Sequence, residues 1–220
     1  MSDYDFEHMR RAMVASQLRT TGVADARVLA AVGEVARERF VPEARLALAY
    51  ADAPVPLGGG RALSPPMATA RLLSEASPRG SERAMVVGAA TGYSAAVLAR
   101  VAASVVAVEQ DPALVDFARE ALAGTEVELV EGPLAEGHEA GAPYDLILID
   151  GAVEAVPDAI VDQLAEGGRL AAAILDRGVT RLGVGRKASG AFGLTIFTDA
   201  AAAILPGFAR PRSFSFERAE

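Results

Sequence analysis

Apolar and polar positions along this chain follow two rhythms, one of short buried runs and one of helical spacing. Ala84-Met85-Val86-Val87 is an apolar run short enough for a buried strand. A turn of small residues comes next, Gly88-Ala89-Ala90-Thr91-Gly92, and Tyr93 to Val101 has helical composition. A second apolar run, Ser104 to Val108, ends on Glu109. Strand, glycine turn, helix, strand, acid is one half of a nucleotide-binding α/β fold. The turn lets a ligand approach the backbone where unpaired N–H groups point outward. Glu109, at the end of the next strand, is placed to accept hydrogen bonds from both hydroxyls of a ribose.

Upstream, Phe6, Met9, Met13 and Leu18 recur at near-helical spacing and predict a helix from Phe6 to Leu18, ended by Gly22. Asp25 reads as the N-cap of a helix from Ala26 to Val35. A short element around Arg39-Phe40-Val41 stops at Pro42, and Glu43 to Ala49 suits another helical turn. With three glycines and two prolines, Ala53 to Gly60 is expected to be loop. A helix from Met67 to Glu75 comes after it, with Ser64 suited to cap it and Pro65 to take its first position.

Downstream, Asp111 and Pro112 open a helix that runs to Leu122, and Val127 to Val130 alternates like a strand. Pro143 to Asp150 reads as an apolar strand that Asp150 ends, its carboxylate capping the next segment of chain. Pro157 to Leu164 is a predicted helix, and Gly167-Gly168-Arg169-Leu170 turns into a further strand. The stretch from Leu182 to Phe216 reads as antiparallel strands at the edge of the parallel sheet. The alanine-rich piece from Asp199 to Leu205 is compatible with docking or with hanging free.

Composition narrows the class. A length of 220 residues suits one compact α/β domain, with an N-terminal helical portion and loop over 1–80 and a ligand-binding core over 81–220. The net charge of −8 argues against a duplex nucleic-acid binder, which neutralises phosphates with clustered Lys and Arg. There is no cysteine, and the two histidines, His8 and His138, stand far apart, so no metal site is expected. The start MSDYDFEHMRRAMV lacks the basic opening and apolar centre of a signal peptide. No apolar run approaches the ~20 residues of a membrane span, and a cytoplasmic protein is expected. The partner expected is a small molecule or peptide rather than nucleic acid or membrane, with a monomer as first expectation and a dimer left open.

Two ligands compete for the turn. A dinucleotide motif, G-x-G-x-x-G, wants its third glycine where this chain has Tyr93. The spacing Gly88-x-Ala90-x-Gly92 resembles instead the G-x-G-x-G of S-adenosylmethionine-dependent methyltransferases, and a tight turn without a ligand is the plain alternative. The order MVASQLRTTGVADARVLAAVGEVARERFVP, AYADAPVPLGGGRALSPP and the glycine turn is similar to the protein-L-isoaspartate O-methyltransferase family. The match falls on Met13, Val14, Gln17, Leu18, Gly22, Val23, Asp25, Arg27, Val28, Leu29, Ala31, Phe40, Val41, Pro42, Ala49, Tyr50, Asp52 and Pro56, with Leu63, Ser64 and Pro66 on the family's I-S-x-P.

The resemblance implies a class I methyltransferase fold, Rossmann-like, with a doubly wound, mostly parallel sheet, an N-terminal helical portion and a C-terminal antiparallel edge. It implies methyl transfer from S-adenosylmethionine to the free α-carboxylate of L-isoaspartyl residues in damaged proteins or peptides. Ser64 would be the active-site hydroxyl, with Arg61 and Ala62 on the substrate side. Leu63, Thr69, Gly88, Ala90, Thr91, Gly92, Glu109, Gln110, Gly132 and Pro133 would line the cofactor. The chain departs from the family at Val86, where an acid is usual, at Ala90 in place of the middle glycine, and at Pro133 in place of an aspartate. Those departures keep two alternatives open: a non-catalytic relative serving as a binding module, and a methyltransferase for another carboxylate or small molecule.

Overall fold

The computed structural model describes residues 4–210. Asp5 caps the first helix, α1 (Phe6–Ala12), by accepting from the His8 N–H at 2.9 Å. The helix then widens into a π-type turn over Met13–Leu18, and Gly22, with φ of +89°, ends it. Asp25 caps α2 (Ala26–Glu34), which buries Val28, Ala31 and Val32. Short 3₁₀ turns come next at Arg37–Phe40 and Glu43–Leu48.

The expected loop contains a hairpin instead. Strands β1 (Val55–Gly58) and β2 (Arg61–Leu63) pair antiparallel, with Val55 opposite Leu63 and both buried. Gly59 and Gly60 take positive φ between them, which reverses the chain. A two-stranded ribbon keeps free edges, so Pro56 fits without its N–H. Helix α3 (Pro66–Ala76) begins one residue earlier than expected. Pro65 stands at its cap, no side chain caps it, and Ser64 turns inward; the capping role expected of Ser64 is therefore corrected.

The remaining elements are β3 (Arg83–Val87), α4 (Tyr93–Leu98), β4 (Ser104–Glu109), α5 (Pro112–Ala121) and β5 (Val127–Glu131). After them come β6 (Tyr144–Val153), α6 (Asp158–Asp162), β7 (Leu164–Asp176), β8 (Val179–Ala188) and β9 (Ala191–Asp199). The sheet runs β5-β4-β3-β6-β7-β8-β9, with the first five strands parallel and the β7–β8–β9 edge antiparallel. The edge hairpin expected at the C-terminal end is there; the rest of the expected tail strand lies beyond Arg210, outside the described residues. Strand β6 does not end at Asp150. It continues to Val153, because Ala152 and Val153 pair with Ala173 and Ile174 after a bulge.

Side chains of β3 alternate between two cores. Val86 joins one face with Met13, Leu18, Val28, Leu146 and Leu148. Met85 and Val87 join the other with Ile147, Ile149, Ile160, Leu205 and Phe208. Val86 is thus a packing residue, wholly buried between Ala107 and Leu148.

Candidate active site

The strand order reverses between β3 and β6: the chain leaves β3 toward β4 on one side and later returns to its other side as β6. In an open α/β sheet such a switch point leaves a crevice at the carboxyl ends of the strands, where ligands bind. Three loops meet there, after β3, β4 and within the end of β6.

The glycine turn after β3 hangs on its neighbour: Gly88 and Ala89 donate N–H groups to the Val108 carbonyl at 3.0 and 3.1 Å. Gly88 and Gly92 take φ of +78° and +97°, as glycine allows. Ala90 also takes a positive φ, +51°, which costs an alanine about 1–2 kcal/mol. Its N–H donates to Glu109 Oε2 at 2.8 Å, and that bond holds the strained turn in place. Thr91 is wholly buried and donates to the Phe40 carbonyl at 2.6 Å, so its hydroxyl fastens the turn to the N-terminal segment.

Glu109 is completely buried. It accepts from the backbone N–H groups of Ala90, Gln110 and Asp111 at 2.8, 2.9 and 3.1 Å. It also receives both prongs of the Arg61 guanidinium, at 2.5 and 2.8 Å. Arg61 is buried with it, and its Nε has no partner among the described residues. Arg61, expected on the substrate side, here spends its charge on Glu109. Beside this pair, Gln110 accepts from the Leu134 N–H at 3.4 Å, Gly132 donates to the Glu109 carbonyl at 3.0 Å, and Pro133 starts a single 3₁₀ turn.

Ser64 lies at the other side of the switch point. Its Oγ donates to the Asp150 carbonyl at 3.4 Å, and its own carbonyl accepts from Arg37 at 2.7 Å. The Asp150 carboxylate accepts from Thr69 Oγ1 at 3.2 Å. Arg37, wholly buried, also donates to the Ala49 carbonyl at 2.8 Å and stacks on the Tyr93 ring, 4.4 Å from its centroid. Arg37 Nη1, Tyr93 Oη and Ser94 Oγ are buried here without partners among the described residues. Sequence reading missed Arg37 and Tyr93, because a buried arginine looks like any surface arginine in a string. Asp150 left a signal, an acid at the carboxyl end of a strand, which the expected capping role absorbed.

One strand connects the two halves. Arg61 on Glu109 and Ser64 on Asp150 are three residues apart on a nearly extended chain, about 10 Å. The ends of β4 and β6 are separated by β3, two strand spacings or about 9.6 Å. The β2 segment therefore crosses the mouth of the crevice, Ala62 and Leu63 bridging it with Leu63 wholly inside.

Burial pushes the Asp150 carboxyl above the ordinary carboxylate range, while the Thr69 hydroxyl and the charge of Arg37 pull it back. Folding thus favours the protonated form. The stabilisation this brings is full below the unfolded value of about 3.9 and fades as pH rises through the raised folded value. Asp150→Asn, which keeps an acceptor for Thr69 and does not titrate, is expected to gain on the wild type as pH rises. Thermal unfolding of both proteins from about pH 4 to about pH 8 measures the difference, and a constant difference would refute the titration.

Residues 9–199 match the sequence model of the family described as protein-L-isoaspartate(D-aspartate) O-methyltransferase (PCMT). A protein-L-isoaspartate O-methyltransferase of Methylorubrum populi is 45% identical over 163 residues, 73% of this chain and 77% of the relative. One from Methanoculleus marisnigri is 40% identical over 168 residues, 75% and 76% of the two chains. Among solved structures, one named protein-L-isoaspartate O-methyltransferase superposes with a TM-score of 0.78 at 24% identity, covering 90% of this chain and 66% of that one. A Plasmodium falciparum structure, described as a candidate of the same kind in complex with S-adenosyl-L-homocysteine, gives 0.77 at 20% identity, covering 92% and 99%. The two superpositions bear on the fold.

Proposed function

The chain belongs to the protein-L-isoaspartate O-methyltransferase family, and from that premise we propose that Ser64 and the Glu109 crevice carry its reaction. The reaction is methyl transfer from S-adenosylmethionine to the α-carboxylate of an isoaspartyl residue in a protein or peptide. In this reading residues 1–80 supply the acceptor side and 81–220 the cofactor core, in a monomer working in the cytoplasm. Among the described residues no helix is long and apolar enough to cross a membrane.

The donor set at the switch point suits the cofactor. A carboxylate at the end of β4 is the group that accepts from two vicinal hydroxyls, and Gly88 offers backbone that a ligand can approach closely. Gln110, Gly132 and Pro133 would border the base, with Ala90, Thr91 and Gly92 forming the turn beneath. When bound, S-adenosylmethionine supplies an electrophilic methyl carbon on a sulfonium, so the protein's task is alignment.

The observation that carries the reading is Ser64, buried at the switch point with its backbone fixed by Arg37. Its hydroxyl donates to one oxygen of the acceptor carboxylate and leaves the other to face the methyl group. An α-carboxylate is ionised at neutral pH, so no general base is needed. Thr69 takes up one oxygen of the Asp150 carboxylate beside Ser64. Asp150 itself favours a second reading, an acceptor other than a carboxylate, because an ionised Asp150 beside Ser64 would repel an anion.

Transfer of labelled methyl to an isoaspartyl peptide and to its ordinary aspartyl counterpart tests the reading. Transfer to the first only is expected. Ser64→Ala should lower the rate at least about 100-fold, as loss of alignment does, with affinity for S-adenosylhomocysteine unchanged. No transfer to the isoaspartyl peptide at saturating cofactor would turn the search to other acceptors.

A further inference from the structure

We propose that this chain gates its own cofactor crevice with two side chains, Arg61 from the β1–β2 hairpin and Leu205 from the segment after β9. The proposal rests on the cofactor reading given above.

Leu205 lies over the switch point itself. A Cβ built on Gly88 would come 2.8 Å from Leu205 Cδ1, and one built on Gly151 would come 2.6 Å from Leu205 Cγ. Gly88 and Gly151 belong to the ends of β3 and β6, the two strands that flank the crevice. The close backbone approach that Gly88 permits is thus taken by a leucine of the same chain, itself 5% exposed. The segment is docked, with Ala203, Leu205 and Phe208 buried, and two backbone bonds tie it to β6. Ala152 N–H donates to the Ala203 carbonyl at 2.6 Å and Leu205 N–H donates to the Ala152 carbonyl at 3.0 Å. Ile204, between them, forms a single parallel bridge with Ala152 and points outward, 60% exposed.

Arg61 plays the matching part at the ribose end. A guanidinium presents two parallel N–H donors to a carboxylate, the same demand that two vicinal hydroxyls make of Glu109. The pair is an exchange partner for a ribose: when hydroxyls replace the fork, Glu109 keeps its acceptor roles and its three backbone donors. Arg61 in turn leaves a site where its Nε is unpartnered.

Both gate elements stand beside backbone that can turn. Gly58, Gly59 and Gly60 lie just before Arg61, all with positive φ, and Gly207 comes soon after Leu205 with φ of +87°. Val86 is a buried packing residue and Pro133 has no N–H, so neither offers a polar group that would help a ligand displace the gate. The affinity of a ligand for a site that is open only part of the time falls by the open fraction.

Calorimetric titration with S-adenosylhomocysteine, using wild type, Leu205→Ala, Arg61→Ala and the double variant, reads the competition directly. Each single variant is expected to bind at least tenfold more tightly than wild type, and the double variant more tightly still. Amide exchange on the wild-type protein gives a second measurement that needs no variant. The Leu205 and Ala152 amides are expected to exchange faster at saturating S-adenosylhomocysteine. Equal affinities in wild type and double variant, or amides still protected in the loaded protein, would overturn the gate and leave the cofactor reading standing. A folded double variant whose Ala152 amide exchanges fast and that binds no S-adenosylhomocysteine would overturn the proposal at its premise, together with that reading.

Discussion

Replacing Glu109 with alanine is expected to cost about 3–5 kcal/mol of folding stability, because it strands the buried Arg61 charge. The geometry makes the loss larger than for a surface pair. Both side chains are inside, the guanidinium is bidentate, and three backbone N–H groups lose their acceptor at once. One of those donors belongs to Ala90, whose positive φ the bond sustains. Urea denaturation compares wild type, Glu109→Ala, Arg61→Ala and the double variant. The double variant should recover much of the loss, since no charge is then left unpaired. A penalty for Glu109→Ala under about 1 kcal/mol, the range of exposed pairs, would mean that water reaches the pair and that the crevice is open.

Arg37→Met should cost about 2–6 kcal/mol, from two buried carbonyls, those of Ala49 and Ser64, left without donors at about 1–3 kcal/mol each. Methionine roughly keeps the length of the stem, so the loss reports the hydrogen bonds and the stacking on Tyr93 more than an empty volume. Burial lowers the Arg37 pKa, yet a guanidinium stays charged throughout the accessible pH range. Methyl transfer should fall further than stability alone explains, because the Ser64 backbone is no longer fixed. Denaturation midpoints and turnover at saturating cofactor separate the two effects. A variant that loses stability and keeps full turnover would make Arg37 a purely structural residue.

Much of the crevice at the switch point was legible in the string. Met85 and Val87 face one core and Ala84 and Val86 the other, as a buried parallel strand requires, and the small residues from Gly88 to Gly92 mark the turn after it. Glu109 was legible because an acid directly after an apolar run has few structural reasons to be there. The hairpin around Gly59 was hidden, since its prolines and glycines read as loop and its strands are too short to show alternation. Ser64 was singled out through its motif, yet its contact was misjudged: the local rule offered a helix cap, and the tertiary structure turned the side chain toward Asp150.

By itself, then, the sequence determined the succession of elements apart from the β1–β2 hairpin, the glycine turn, the acid that ends β4 and the family. These are local signals, written in spacings of two, three or four residues, and burial enforces them wherever the chain runs. Only the tertiary structure decided what each charged group faces. Arg61 meets Glu109 across 48 positions and Thr69 meets Asp150 across 81, distances over which no periodicity reaches. Leu205 meets Gly88 because a seven-stranded sheet returns its last segment to the switch point. A buried charge costs several kcal/mol unless it finds a partner, so these pairings are dictated by which groups the fold encloses together.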